Sequence, residues 1–130
     1  AGDTRGAEKT VLKNVKDQVY AALDAVFENV TDQYPKDWAA LPAVQYTEED
    51  NKVYEYTDNK EDKAYVRYRV DIWNNRSTSE AAMQVDAALA DLGLVRILCQ
   101  DTPDPSGMKH KVMRYEGIID MESEQVFWPA

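Results

Sequence analysis

The stretch that most limits the fold is residues 63–73, KAYVRYRVDIW, in which apolar and mixed side chains alternate. One face would carry Ala64, Val66, Tyr68, Val70 and Ile72, and the other Tyr65, Arg67, Arg69, Asp71 and Trp73. A period of two is that of a β-strand, and Val, Ile, Tyr and Trp suit a pleated, half-buried surface. We therefore expect a central strand with one face in the core. The second face, with two arginines between aromatic residues, is expected to be solvated or to meet a partner.

Two amphipathic helices are predicted on either side of this strand. In residues 7–30 apolar side chains recur at spacings of three and four, which predicts one helical stripe. The stripe consists of Val11, Val15, Val19, Leu23, Val26, Phe27 and Val30. A second helix is predicted to begin at a capping box of Ser77 and Glu80, with Thr78 or Ser79 as alternative caps. It is expected to run to about Leu92, with Gly93 as its stop. Both helices are expected to pack on a sheet, and docking of the first on another subunit is the lesser alternative.

Further strands are predicted at residues 43–46, 52–57, 94–101 and 108–121, and the last two are expected to form a hairpin. Residues 108–121 are expected to be either one long strand or a strand with a break at Gly117. TEED (47–50) and DNKED (58–62) are interpreted as turns, and Val95, Ile97 and Cys99 as one strand face. The order α-β-β-β-α-β-β predicts an α+β fold, with a mostly antiparallel sheet and both helices on one face. We expect one domain over residues 1–130, with a flexible N-terminus at 1–6. Residues 122–130 are a possible C-terminal arm, which either folds back or lies on a neighbouring subunit.

Composition excludes several classes of function. A net charge of −9 and a pI near 4.5 argue against a surface that grips nucleic acid phosphates. The single cysteine, Cys99, forms no internal disulfide and is interpreted as a small core residue. No apolar run is long enough for a membrane span, and without a secretory leader an intracellular protein is expected. His110 has no partner at catalytic or ligand spacing, and DNKED lacks the EF-hand pattern. We therefore expect no enzyme activity, no cofactor and no metal.

Three segments carry a resemblance to a known group of proteins. They are YVRYRVDIW (65–73), NNRSTSEAAMQVDAALADLGL (74–94) and MKHKVMRYEGIID (108–120). This part of the chain resembles the neck and tail-completion proteins of long-tailed bacteriophages, and most of all the tail terminators. In that group a strand ending in a V-x-I/V-W-like segment precedes a helix and a hairpin, whose second strand carries R-Y-x-G-x-I-D. That pattern is filled here by Arg114, Tyr115, Gly117, Ile119 and Asp120.

The resemblance implies a structural virion protein assembled in the host cytoplasm. Such a subunit forms a homo-oligomeric ring, commonly a hexamer, that caps the tail tube and joins it to the head connector. DNA passes through the lumen without specific binding, and an acidic lumen would not hold it. The group has no active site to carry over.

Assembly of such a ring needs a subunit interface. The candidate interface residues are Arg67, Arg69, Trp73, Phe127 and Trp128, with the arginines facing acidic turns of the next subunit. Alternatives are another head-tail connector or head-completion subunit, or a tail-tube subunit. A different class, a small ligand-binding α+β domain or enzyme, would use the scattered polar residues Arg67, Arg69, His110 and Glu116.

Overall fold

A computed structural model describes residues 15–57, 60–120 and 126–127, with side chains described over 15–54 and 63–120. Its helices are α1 (Val15–Asp24) and α2 (Ser79–Asp91). Its strands are β1 (Asn29–Thr31), β2 (Ala43–Thr57), β3 (Lys60–Asn74), β4 (Val95–Thr102), β5 (Lys109–Asp120) and β6 (Val126–Phe127). The chain therefore has the α+β order that the sequence predicts, with β6 added at the end.

One sheet runs through the molecule in the order β1-β2-β3-β5-β4, and β6 pairs with β5. All described strand pairs are antiparallel except β1 with β2, which is parallel and covers only three residues. The alternating strand predicted at 63–73 lies at the centre, between β2 and β5. The mostly antiparallel sheet is thus confirmed. No described helix is long and apolar enough to cross a membrane.

Both helices cover the same face of the sheet, as predicted. The even-numbered side chains of β3, from Ala64 to Ile72, are buried there. Val15, Val19 and Leu23 of α1 join them in one core cluster with Val85 and Leu89 of α2. Burial of large apolar side chains of this kind is the main stabilising contribution to such a fold, at roughly 1.5–3 kcal/mol each. We call this face of the sheet the helix face, and the opposite one the open face.

The first helix ends earlier than the stripe predicts. It ends at Asp24, Val26 is exposed, and Val30 lies in β1 beside Val44. Phe27 stays buried after the chain has left the helix, which is why the sequence pattern continues past the helix end. Residues 7–14 of the predicted helix lie outside the described residues.

The largest difference is in β2, which is one strand of 15 residues where two short strands and a TEED turn were predicted. The acidic segment pairs with β3, and a register shift between Glu48 and Asp50 accommodates Glu49 as a bulge. The DNKED turn prediction is also partly wrong, since β3 already begins at Lys60. Residues 58 and 59 lie outside the described residues.

Predictions at the second half of the chain have mixed outcomes. Gly93 follows α2 with a φ of 95°, the left-handed conformation expected at a helix stop. Gly117 makes no break, because β5 pairs with β3 in uninterrupted register from Lys109 to Asp120. A bulge at Ile97 in β4 instead puts Val95 and Cys99 on opposite faces. Cys99 is exposed, so its interpretation as a core residue is wrong.

Candidate interaction surface

The open face of the sheet carries a layer of charged side chains. Residues directly opposite each other in neighbouring strands point to the same face. Arg67 lies opposite Glu116 and Arg69 lies opposite Arg114, so three arginines share the centre of this face. Unpaired, these like charges would repel each other, and the layer therefore depends on the carboxylates between them.

Glu49, the bulged residue of β2, binds two of these arginines. Its carboxylate accepts a hydrogen bond from Arg67 Nε at 3.2 Å and from Arg114 Nε at 3.0 Å. The pairing of Arg67 with the acidic TEED segment, expected between subunits, thus occurs within one chain. The bulge explains this geometry, because it turns Glu49 to the open face while Glu48 stays on the helix face opposite Tyr68.

Asp71 and His110 form the second cluster of the open face. Asp71 is almost fully buried and accepts two hydrogen bonds from Arg69, at 2.8 and 2.9 Å. The Nε2 atom of His110 lies 2.8 Å from Oδ2 of Asp71, which also accepts from Arg69. The Nδ1 atom of His110 lies 3.4 Å from Oδ1 of Asp104. Both His110 nitrogens thus face carboxylates, which holds the imidazole ring in one orientation. The hydrogen bonds between Asp71 and Arg69 also raise the pKa of the Arg69 guanidinium.

Aromatic rings extend this cluster. The indole of Trp73 stacks on His110 at 4.4 Å between centroids and donates a hydrogen bond to Asp104 at 3.1 Å. Trp38 and Tyr34 pack edge-on against the same indole, at 5.8 and 5.6 Å. Trp73 is only 3% exposed as a result. Trp38 thereby ties the loop between β1 and β2 to the central strand.

Hydrogen bonds from Ser106 and Trp73 lower the pKa of Asp104. The carboxylate accepts from both the backbone and the hydroxyl of Ser106 in the β4–β5 turn. Asp104 therefore links this turn to the Trp73 and His110 side chains.

Two tyrosines on the helix face have acidic partners. Tyr68 donates to Glu48, and Tyr115 donates to Asp86 of α2 at 2.7 Å. Burial, followed by these hydrogen bonds, raises the pKa of both phenols. Arg96 of β4 lies 3.3 Å from Asp86 and completes this contact between helix and sheet. Tyr115, one of the residues that carry the resemblance, is thus a core residue that connects α2 to the central strands.

These groups together are suited to holding the sheet rigid. Asp71 and His110 point to each other and to Arg69 and Asp104, and the hydroxyl of Ser106 bonds to Asp104 rather than to the imidazole. A serine nucleophile would need that imidazole as its base. Among the described residues no group of three or more His, Cys, Asp or Glu side chains could hold a metal ion. The sequence could not reveal this cluster, because Asp71, Asp104 and His110 come from separate segments.

The candidate interface residues differ in where they lie. Arg67 and Arg69 are on the open face, each partly exposed and already paired. Trp73 is enclosed by its own chain, which counts against it as an interface residue. Phe127 belongs to β6, which pairs with Ile118 and Ile119 of the same chain, so this part of the arm folds back. Trp128 lies outside the described residues.

Exposed apolar side chains are found instead on the outer strands of the sheet. Val95 and Ile97 of β4 are 39% and 45% exposed, and Val53 and Tyr54 of β2 are 40% and 53% exposed. These strands lie on either side of the central pair β3 and β5. Sequence reasoning missed them, because which strand lies at an edge depends on the topology.

A comparison of the sequence with models of known protein families gave no match, and a comparison with curated protein sequences gave none either. What the protein does is therefore inferred from its own residues and their geometry.

Proposed function

We propose that this protein is a structural subunit of a bacteriophage tail or neck, similar to the tail terminators. It forms a ring that caps the tail tube and joins it to the head connector. The observation that carries the proposal is the exposure of apolar side chains at both outer strands of one sheet. A subunit that offers two separate apolar contacts can bind one copy on each side, which is what a ring requires.

The open face supports a structural role for the residues that suggested a ligand site. Arg67 and Arg114 share the carboxylate of Glu49, and Arg69 pairs with Asp71, so each arginine is already bound within the chain. A pocket for an anionic substrate would need such cations to be available, since recognition depends on a few convergent polar groups. Here these groups hold strands β2, β3 and β5 together. The enzyme or ligand-binding alternative is therefore the weaker proposal.

The charge of the chain supports passage of DNA without retention. The net charge is −9, and the arginines of the open face are paired with carboxylates. A lumen lined by such subunits would repel phosphate rather than bind it, because binding depends on clustered unpaired Lys and Arg. The protein would in this way surround DNA while contacting it weakly.

The first experiment is to measure the mass of the purified full chain in solution, followed by negative-stain imaging. The expected result is a closed ring of six copies with a central hole. Rings added to purified tail tubes should bind only at one tube end and should stop further addition of tube protein. A protein that stays monomeric at all concentrations would contradict the proposal. Rings that bind the head connector but not the tube would favour the head-completion alternative.

A further inference from the structure

Among the described strands, β4 lies at an edge of the sheet. It pairs with β5 on one side, and no other described strand pairs with its second side. Six of its eight residues are exposed, which is a high proportion for a strand in a folded chain. An unpaired row of backbone N–H and C=O groups beside apolar side chains is a template for another strand. The β4 edge is therefore suited to accept one.

β-bulges and charged side chains commonly protect an edge strand from pairing with another chain. Strand β4 has both, but neither prevents pairing here. A bulge interrupts pairing at Ile97, but Leu98–Thr102 pair with β5 in regular register. The charged residues Arg96 and Asp101 are each paired within the chain, with Asp86 and Lys111. A neighbouring strand would therefore meet regular backbone and charges that already have partners.

The second free edge belongs to β2. The short strand β1 pairs only with Ala43–Gln45, and beyond Gln45 no described strand covers the outer side of β2. Val53 and Tyr54 are exposed on this uncovered part. Within the described part of the chain, the sheet thus has exposed apolar side chains next to unpaired backbone at two opposite edges.

Strand direction makes these two edges compatible. Neighbouring strands alternate in direction along β2, β3, β5 and β4. A second copy placed beside β4 in the same orientation would therefore present its β2 antiparallel to β4. Antiparallel pairing continues the hydrogen-bonding pattern of the existing sheet. Edges that differ from each other give a head-to-tail contact, and such contacts close into rings when the rotation allows it.

We propose that the β4 edge of one copy binds the β2 edge of a second copy of this chain, so that the sheet continues from subunit to subunit. This inference rests on the proposed ring. The occupant is a second copy because the chain itself supplies the matching edge, with apolar Val53 and Tyr54 to meet apolar Val95 and Ile97. The arginine layer of the open face stays within each subunit and does not form the contact.

The first test places a charge on the β4 edge. Val95→Lys and Ile97→Lys should shift the chain from ring mass to monomer mass, with an unchanged circular dichroism spectrum. Val26→Lys is the matched control, since Val26 is 43% exposed after α1 and belongs to neither β4 nor β2. It should leave the rings intact. If the wild type forms rings and both edge variants form the same rings, the edge proposal is wrong while the proposed function stands. A monomeric wild type would contradict both.

The second test uses a pair of introduced cysteines as a reporter, in a chain whose own cysteine is replaced by Cys99→Ser. In the same chain residues 53 and 97 are separated by β3 and β5, at least about 14 Å, which is too far for a disulfide. Rings that carry Val53→Cys together with Ile97→Cys should therefore give a ladder of linked copies, up to the full ring, when treated with a mild oxidant. Rings that carry Val26→Cys together with Ile97→Cys should give none. Discrete dimers from Ile97→Cys alone, or no ladder from the pair with Val53→Cys, would overturn the head-to-tail arrangement.

Discussion

Replacing Asp71 with asparagine tests whether the buried carboxylate holds the open face together. The substitution keeps the shape of the side chain and removes its charge. Asp71 has a side-chain exposure of 6%, binds Arg69 through two hydrogen bonds and contacts His110 at 2.8 Å. The amide oxygen of asparagine can still accept one hydrogen bond from Arg69, but the amide NH₂ group then faces the second N–H donor of the same guanidinium. We therefore expect Asp71→Asn to destabilise the folded chain.

The size of this effect follows from the geometry. Hydrogen bonds to charged groups contribute about 1.5–3 kcal/mol, and breaking a fully buried ion pair costs about 3–5 kcal/mol. The Arg69 side chain is 36% exposed, so water will solvate part of the freed guanidinium and reduce the cost. We expect a loss of about 2–3 kcal/mol in the free energy of unfolding. For a chain of 130 residues this lowers Tm by roughly 6–15 °C.

Asp101→Asn is the matched control for this measurement. Asp101 pairs with Lys111 at 2.9 Å, but the carboxylate is 80% exposed. Exposed pairs contribute about 0–1 kcal/mol, so this variant should unfold close to the wild type. Denaturant unfolding of both substitutions, each made in the Ile97→Lys chain that is expected to be monomeric, gives the comparison. Equal effects of the two substitutions would show that the network around Asp71 does not stabilise the fold.

Three further predictions concern the core, the buried tyrosines and the end of the chain. Val70→Asp places a charge where Val70 is fully buried beneath the helices, so no soluble folded protein is expected, whereas the exposed Met83→Asp should fold normally. Because the pKa values of Tyr68 and Tyr115 are raised, the folded chain keeps their protons above pH 10 while the unfolded chain loses them. The stability that these two tyrosines contribute is therefore complete below pH 10 and should fall above it by up to about 2.7 kcal/mol per pH unit. Urea unfolding should find the slope smaller by up to about 1.4 kcal/mol per pH unit in Tyr115→Phe. Truncation after residue 121 removes β6 and its pairing with Ile118 and Ile119, so Tm should fall while the rings remain. If the truncated chain is instead a stable monomer that forms no rings, residues 122–130 are an assembly element.

The parts of the fold that the sequence predicted depend on local periodicity. The alternation of β3 and the apolar stripes of the two helices are visible in neighbouring residues, and all three elements are present in the structure. The TEED segment was wrongly predicted as a turn because four consecutive polar residues are typical of turns. In the structure Glu49 lies in β2, and its carboxylate pairs with Arg67 of β3 and Arg114 of β5. These partners are 18 and 65 residues away in the chain. No local pattern could reveal them.

The surface was harder to predict than the core for a related reason. The apolar residues Ile97 and Cys99 are typical of a buried strand. They are exposed because β4 lies at an edge of the sheet. Asp71 and Trp73 lie on the open face, as the alternation in β3 predicts, and yet they are buried. The loop that contains Trp38 and the β4–β5 turn cover this part of the open face. The exposure of a side chain therefore depends on which segments pack over its strand. For this reason the candidate interface lies on β2 and β4 and does not include Trp73.

The arrangement of strands also has a consequence for how the chain folds. The hairpins β2–β3 and β4–β5 each join strands that are close in sequence, and each follows one helix. In the described chain the two halves meet mainly where β3 pairs with β5, across partners 35 to 57 residues apart. Loop-closure entropy makes such distant pairing the slow step, after the local hairpins have formed. Each half is a helix with its own hairpin, so β3 of one chain and β5 of another can pair in the same way. At high concentration, refolding would then yield dimers that have exchanged halves.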